Sequence, residues 1–137
     1  MMEQFPPNRE FGIRLRDTNF VLDVNNSGTE PGTTIILWNA RDEDNDNQKW
    51  ICENKNIVRN KKTGLVLSVP GLTPNVQFDT QDVTGEENQR FEYYDYTISA
   101  QTNDNLVLGV AGTAVEGGRV SLIERNNDSK LQQWEII

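Results

Sequence analysis

The sequence predicts an all-β domain made of three copies of one unit, each of about four strands. Three observations carry that reading. The ending Gln-x-aromatic occurs as Gln48-Lys49-Trp50, Gln89-Arg90-Phe91 and Gln132-Gln133-Trp134, at intervals of 41 and 43 residues. In step with it, Phe20-Val21-Leu22-Asp23-Val24 matches Leu65-Val66-Leu67-Ser68-Val69 and Leu106-Val107-Leu108-Gly109-Val110. No segment has a helical period, whereas short β-branched and aromatic runs bounded by turn residues recur throughout. Self-similarity at a fixed period marks architectures in which one unit cannot bury its apolar face alone.

The whole chain, 1–137, reads as one domain, with copies spanning about 11–55, 56–96 and 97–137. Each copy opens on a short apolar segment: Phe11–Leu15, Asn56–Arg59 and Thr97–Ala100. A polar turn follows, as Asp17-Thr18-Asn19, Lys62-Thr63-Gly64 and Asn103-Asp104-Asn105. Asn or Gly just before the second strand suits a turn that needs positive φ. The Val-Leu-x-Val strand comes next, then a Gly/Pro-containing loop. The third strand is Ile35–Trp38, Val76–Asp79 or Val120–Ile123, and the fourth carries the Gln-x-aromatic ending, giving roughly twelve strands in all. Trp50, Phe91 and Trp134 are expected to share one core. The glutamine before each needs hydrogen-bond partners if buried, so each is expected to tie down neighbouring backbone.

Composition narrows function. The net charge of −8 argues against a nucleic-acid partner, because phosphate binding needs clustered Lys and Arg. No apolar run approaches the ~20 residues of a membrane span. Cys52 is the only cysteine, so no intrachain disulfide forms. The opening residues Met1–Pro7 lack the basic and apolar regions of a signal peptide. These features lead us to expect a cytoplasmic or unconventionally released protein. The sequons Asn25-Asn26-Ser27 and Asn127-Asp128-Ser129 matter only in a secretory pathway.

Three Gln-x-Trp-type endings in register with three Val-Leu-x-Val segments resemble the ricin B-type lectin family, which adopts the β-trefoil fold. The likeness runs from Phe11 to Ile137. Without the disulfides of secreted members, the chain looks more like the stand-alone lectins of fungi. The resemblance implies a shallow sugar site in each repeat, built from an Asp on the second strand, an aromatic on the third and an Asn-Gln pair before the core Trp. In the first repeat these are Asp23, Trp38, Asn47 and Gln48. Asn26 stands where many relatives carry a second carboxylate. The second repeat has Ser68 and Asp79 in the first two places; the third has Gly109, Ile123 and Leu131. Only the first repeat is therefore expected to bind.

Those residue types suit a hexose. Trp38 offers a flat apolar surface to the C–H face of the ring. An ionised Asp23 accepts hydrogen bonds from two adjacent hydroxyls, each charge-assisted bond being worth about 1.5–3 kcal/mol. Asn47 is expected to donate to the same hydroxyl pair, and Gln48 to orient Asp23. Family precedent points to galactose or N-acetylgalactosamine, with loop 25–30 adding specificity. One weak site per chain leads us to expect a homodimer, since multivalency raises avidity by ~10²–10⁴.

Three other readings compete. Asp42, Asp44, Asp46 and Glu53 occupy positions 1, 3, 5 and 12 of a calcium-loop register, but position 6 is Asn47 instead of Gly and no helices flank it. We expect a solvated acidic loop, and neither metal nor cofactor. An enzyme is not expected: the chain contains no histidine, and Cys52 has no partner base. A trefoil serving as a protein-binding scaffold, such as a loop-based protease inhibitor, shares the fold but gives no reason to keep Asp23, Trp38 and Asn47 together.

Overall fold

The computed structural model describes residues 4–137. Fourteen strand segments follow in order: β1 Glu10–Phe11, β2 Ile13–Leu15, β3 Phe20–Val24, β4 Ile35–Asn39, β5 Trp50–Glu53, β6 Ile57–Asn60 and β7 Val66–Ser68. The remainder are β8 Val76–Gln77, β9 Asp79–Gln81, β10 Phe91–Tyr94, β11 Thr97–Ala100, β12 Asn103–Gly109, β13 Ser121–Glu124 and β14 Trp134–Ile136. The two segments beyond twelve arise where Gly12 separates β1 from β2 and Phe78 separates β8 from β9. No α-helix occurs among the described residues, and none of their helices is long and apolar enough to cross a membrane.

The strands form three antiparallel sheets, β14-β2-β3-β4, β1-β5-β6-β7-β9 and β10-β11-β12-β13-β8. Each sheet takes the last strand of one copy and the first three of the next, so no copy closes on itself. The chain ends meet in this way: Trp134 pairs with Leu15, and Gly12 and Ile137 exchange backbone hydrogen bonds of 2.9 and 3.0 Å. This arrangement is a β-trefoil.

Trp50, Phe91 and Trp134 are completely buried in a common core with Leu22, Leu67 and Leu108. The indole Nε1 of Trp50 donates to the Leu22 carbonyl at 3.4 Å, and that of Trp134 to the equivalent Leu108 carbonyl at 3.0 Å. Phe91 has no such donor. Each glutamine sits at the end of a short 3₁₀ turn, Asp46–Gln48, Glu87–Gln89 or Lys130–Gln132, and spans the chain just after the third strand. Gln48 accepts from Arg41 N and donates to Asn39 O, both at 3.0 Å. Gln89 treats Thr84 N and Asp82 O alike, at 2.7 and 3.0 Å, and Gln132 treats Asn126 N and Glu124 O alike, at 2.8 and 3.0 Å. In every copy the bridged N–H and C=O lie two residues apart, which satisfies a buried amide and fixes the loop at once.

Two details differ from the sequence reading. Of the three turns before the second strands, only the second places positive φ on the expected residue, Gly64 at +74°; in the first it falls on Asp17 at 63°. In the third no residue from 101 to 105 has positive φ, because β12 starts early and leaves a tight connection between Ala100 and Asn103, with a register shift beside it. Second, Phe5 precedes the repeats yet is buried, with its ring 5.4 Å from Phe11 and 5.6 Å from Tyr93.

The repeat provides its own control for the core. Trp50→Phe is expected to cost about 1–1.5 kcal/mol, because Phe91 fills the equivalent position, whereas Trp50→Ala is expected to cost about 3–5 kcal/mol. Urea denaturation of both variants measures the difference.

Candidate functional site

In the first copy β3 and β4 pair so that Asp23 lies opposite Ile36 and Val21 opposite Trp38. The segment after β3 is a tight turn in which Asn26 and Ser27 both have φ of 54°. It returns the chain beside the 3₁₀ turn that carries Asn47 and Gln48. Asp23, Asn26, Ser27, Trp38, Arg41 and Asn47 border one cleft of about 140 Å³. Asn26 is exposed, Trp38 half-buried, and Asp23, Asn47 and Gln48 are buried.

The Asp23 carboxylate is held from behind. Asn47 Nδ2 donates to Oδ1 at 3.1 Å and Gln48 Nε2 to Oδ2 at 3.0 Å, so each oxygen receives one amide and keeps a further lone pair. Gln48 therefore serves two purposes, clamping the backbone as its counterparts do and fixing the carboxylate plane. Asn47 differs from its expected role as a direct donor. Its second amide hydrogen goes to Val24 O at 3.1 Å, a bond that Asn88 repeats with Val69 O at 2.8 Å, so neither hydrogen is left for a ligand.

Burial pushes the Asp23 carboxyl above its ordinary range, opposed by the hydrogen bonds from Gln48 and Asn47 and by the Arg41 charge. Arg41 is the residue that the family pattern did not supply. Its Nη2 donates to Asn47 Oδ1 at 2.6 Å and to Asp44 O at 2.9 Å, which brings a guanidinium to the cleft. Its counterparts under the glutamine clamp are Thr84 and Asn126, so comparing the copies was enough to mark it as special to the first. Beyond Arg41 and Asn47 the cleft continues into a wider groove of about 600 Å³ that also meets Asp44, Asp46 and Lys62.

Trp38 is buttressed by the third copy. Leu37 donates to Gly118 O and accepts from Gly117 N, both at 2.7 Å, and a Cβ added at Gly117 would sit 3.8 Å from Trp38 Cζ3. Gly117 has φ of +81°, a conformation that glycine adopts without steric cost. Asn39 Nδ2 adds a bond of 3.0 Å to Glu116 Oε1.

The other copies depart in ways the strand register makes explicit. Trp38, opposite Val21, corresponds to Gln81, opposite Val66, and to Ile123, opposite Val107. The expected match of Trp38 to Asp79 is corrected: the connection between the second and third strands is two residues shorter in the second copy, which moves Asp79 opposite Ser68. The second copy thus carries its carboxylate on the other strand of the same rung, and has no aromatic. Asp79 Oδ2 accepts from Gln81 Nε2 at 2.9 Å, while Oδ1 is buried with no partner among the described residues. In the third copy the space is filled. A Cβ at Gly109 would collide with Ile123 Cδ1 and lie 3.2 Å from Gln132 Cγ.

Asp42, Glu43, Asp44 and Asp46 are all exposed, as expected of a solvated acidic loop. Asp46 lies 3.4 Å from Lys61, and Glu53, on β5, takes Arg59 at 2.8 and 3.0 Å. Among the described residues no three Cys, Asp or Glu side chains gather as a metal would require. The Cys52 thiol is pushed up to about 11 by burial and by Glu53, which leaves almost no thiolate at neutral pH.

The model of the ricin-type β-trefoil lectin domain matches residues 9–134. No curated protein sequence matches the chain. Among solved structures, the mdaA-1 domain is 27% identical with a TM-score of 0.89, over 98% of this chain and 92% of that one. The C-half of an earthworm R-type lectin, in complex with GalNAc, is 19% identical with a TM-score of 0.81, over 93% and 97%. A ricin B-like lectin of Macrolepiota procera, in complex with lactose, is 18% identical with a TM-score of 0.76, over 97% of both chains.

Asp79 allows a test of the burial argument. Its carboxyl is raised above the ordinary range, chiefly by burial. A raised folded-state pKa means that the ionised form opposes folding. The penalty is absent below the unfolded pKa, grows as pH rises, and is complete above the folded value. Asp79→Asn is therefore expected to raise the melting temperature by about 2–4 °C at pH 7 and by nothing near pH 3, as calorimetry at the two pH values would record.

Proposed function

The chain belongs to the ricin-type β-trefoil lectin family, and from that premise we propose that it binds galactose or N-acetylgalactosamine through the first repeat alone. Carbohydrate binding follows from the family; the sugar and the site are our own reading. The observation that carries it is a carboxylate fixed by two amides beside a half-buried Trp, a combination found in one copy of three. Asp23 accepts from two neighbouring hydroxyls, one per oxygen, with its plane set by Asn47 and Gln48. Trp38 takes the C–H face of the ring, the face that an axial 4-hydroxyl leaves open. Arg41 adds donors beside Asn47, and Asn26 borders the same cleft from the turn after β3. The groove past Arg41 gives a second saccharide residue room to extend. The earthworm and Macrolepiota lectins, whose complexes hold GalNAc and lactose, agree with the choice of sugar.

Asp23→Asn and Trp38→Ala are each expected to abolish retention on galactose-agarose while shifting the melting temperature by no more than about 3 °C; retention of both variants would contradict the assignment. A chain that ignores every glycan on an array yet inhibits a protease would favour the scaffold reading instead.

Acidification tests Asp23 separately. Because its pKa is raised, the folded protein takes up this proton at a higher pH than an ordinary carboxylate near ~3.9. Affinity is expected to be complete above that raised value and to fall as pH drops through it, in titration calorimetry with methyl galactoside at descending pH. Affinity that holds down to the ordinary carboxylate range would contradict the role given to Asp23.

With a single shallow site, useful avidity requires pairing of chains or display on a larger assembly. Sedimentation is expected to detect a dimer in any preparation that agglutinates cells at low concentration; an agglutinating monomer would overturn this.

A further inference from the structure

A second cleft, of about 450 Å³, shares no residue with the Asp23 site. Two arginines meet there. The Arg16 guanidinium lies 4.1 Å above the Tyr96 ring, and its Nη1 donates to Gln133 Oε1 at 2.8 Å. Arg125 is anchored through Nε to Asp104 O at 2.8 Å. Neither Arg16 nor Arg125 is paired with a carboxylate among the described residues, so both charges stay available at the cleft. In a chain of net charge −8 the cleft wall carries two cations against one carboxylate. Asp95 is the one carboxylate on the cleft wall.

The neutral groups have the same polarity. Arg16 occupies the carbonyl oxygen of the Gln133 amide, and Asp128 N–H occupies that of Asn126 at 3.1 Å. The NH₂ groups of both amides are left without a hydrogen-bond acceptor among the described residues. With the two guanidiniums they offer donors, two of them charged, and charged donors suit an anion.

The hairpin Tyr94–Thr97 supplies a different kind of surface. Tyr94 is 59% exposed, and the two turn residues, Asp95 and Tyr96, hold φ of 49° and 67°. Positive φ at both positions is what a two-residue hairpin turn requires, and Lys55 and Asn56 show it at the equivalent junction between β5 and β6. The turn is held by Trp134 N, which donates to Tyr96 O at 2.7 Å. An inorganic anion would need only the guanidiniums. An exposed aromatic beside them fits an anion carried on an apolar-faced ring.

We propose that this cleft is a second, independent site for an acidic saccharide residue, a hexose bearing a carboxylate or a sulfate ester. Arg16 and Arg125 take the anionic group, the amides of Asn126 and Gln133 take ring hydroxyls, and Tyr94 stacks on the sugar face. The glycan that satisfies both clefts would carry a neutral galactose-type residue and an acidic one.

The test uses the full chain carrying Asp23→Asn, which silences the first site, with amide resonances of residues 94–97 and 125–133 followed during titration. Methyl glucuronide and galactose 6-sulfate are expected to shift these resonances saturably. Arg16→Gln or Arg125→Gln should weaken both probes at least tenfold with an unchanged melting temperature. Raising salt to about 0.15 M should weaken them further. Acidic sugars that bind no better than methyl galactoside would overturn the proposal, as would inorganic sulfate binding as tightly as the sugars, or arginine variants that bind like the parent. Failure of the first-site reading shows separately, as galactoside binding that survives Asp23→Asn.

Discussion

The amide of the glutamine before each core aromatic is the interaction on which the rest depends. It reaches an N–H and a C=O two residues apart just past the third strand, and does so three times. The bond pair locks the loop that returns the chain to the barrel, and the aromatic two residues later fills the core. A buried primary amide has two donors, and the clamp uses only one. In the second and third copies Nε2 makes no other hydrogen bond among the described residues. At Gln48 it holds Asp23. The site is thus an addition to a scaffold bond already present in every copy, which explains how a carboxylate can be buried there and still be oriented.

Strand order was legible in the sequence because apolar alternation and turn residues repeat with the chain's own period. Trp50, Phe91 and Trp134 announced the core for the same reason: three equivalent large apolar residues have nowhere else to go in a closed threefold structure. What the sequence left ambiguous was register. The loops between second and third strands differ in length, so Asp79 read as the counterpart of Trp38 until strand pairing placed it opposite Ser68. Asn47 misled for another reason. Its type matched a ligand donor, but its hydrogens are consumed by Asp23 and Val24, and no spacing reveals how a side chain divides its bonds. Arg41 was recoverable, since its counterparts are Thr84 and Asn126; a charged residue in an acidic loop simply reads as solvated. The Arg16–Arg125 cleft was out of reach, because its walls come from segments more than a hundred residues apart.

The three copies have diverged by physically different routes. The first keeps a supported carboxylate and an aromatic. The second moves its carboxylate across the strand pair and loses the aromatic, leaving one oxygen without a partner among the described residues. The third gives its volume to Ile123, which leaves no room for a side chain at Gly109. Backbone symmetry is retained because the core and the clamps require it. The surface is free of that constraint, and there the copies have separated into a cleft with a supported carboxylate and an aromatic, one with a displaced carboxylate, and a filled one.

The claim at the centre of this account is that binding of neutral sugar resides in one copy only. The direct measurement is the stoichiometry of methyl galactoside binding by titration calorimetry on the full chain, at protein concentrations high enough to define it. One site per chain is expected. Two or three equivalent sites per chain would contradict it, because neither Ser68 with Asp79 nor Gly109 with Ile123 offers the supported carboxylate and aromatic on which binding is held to depend.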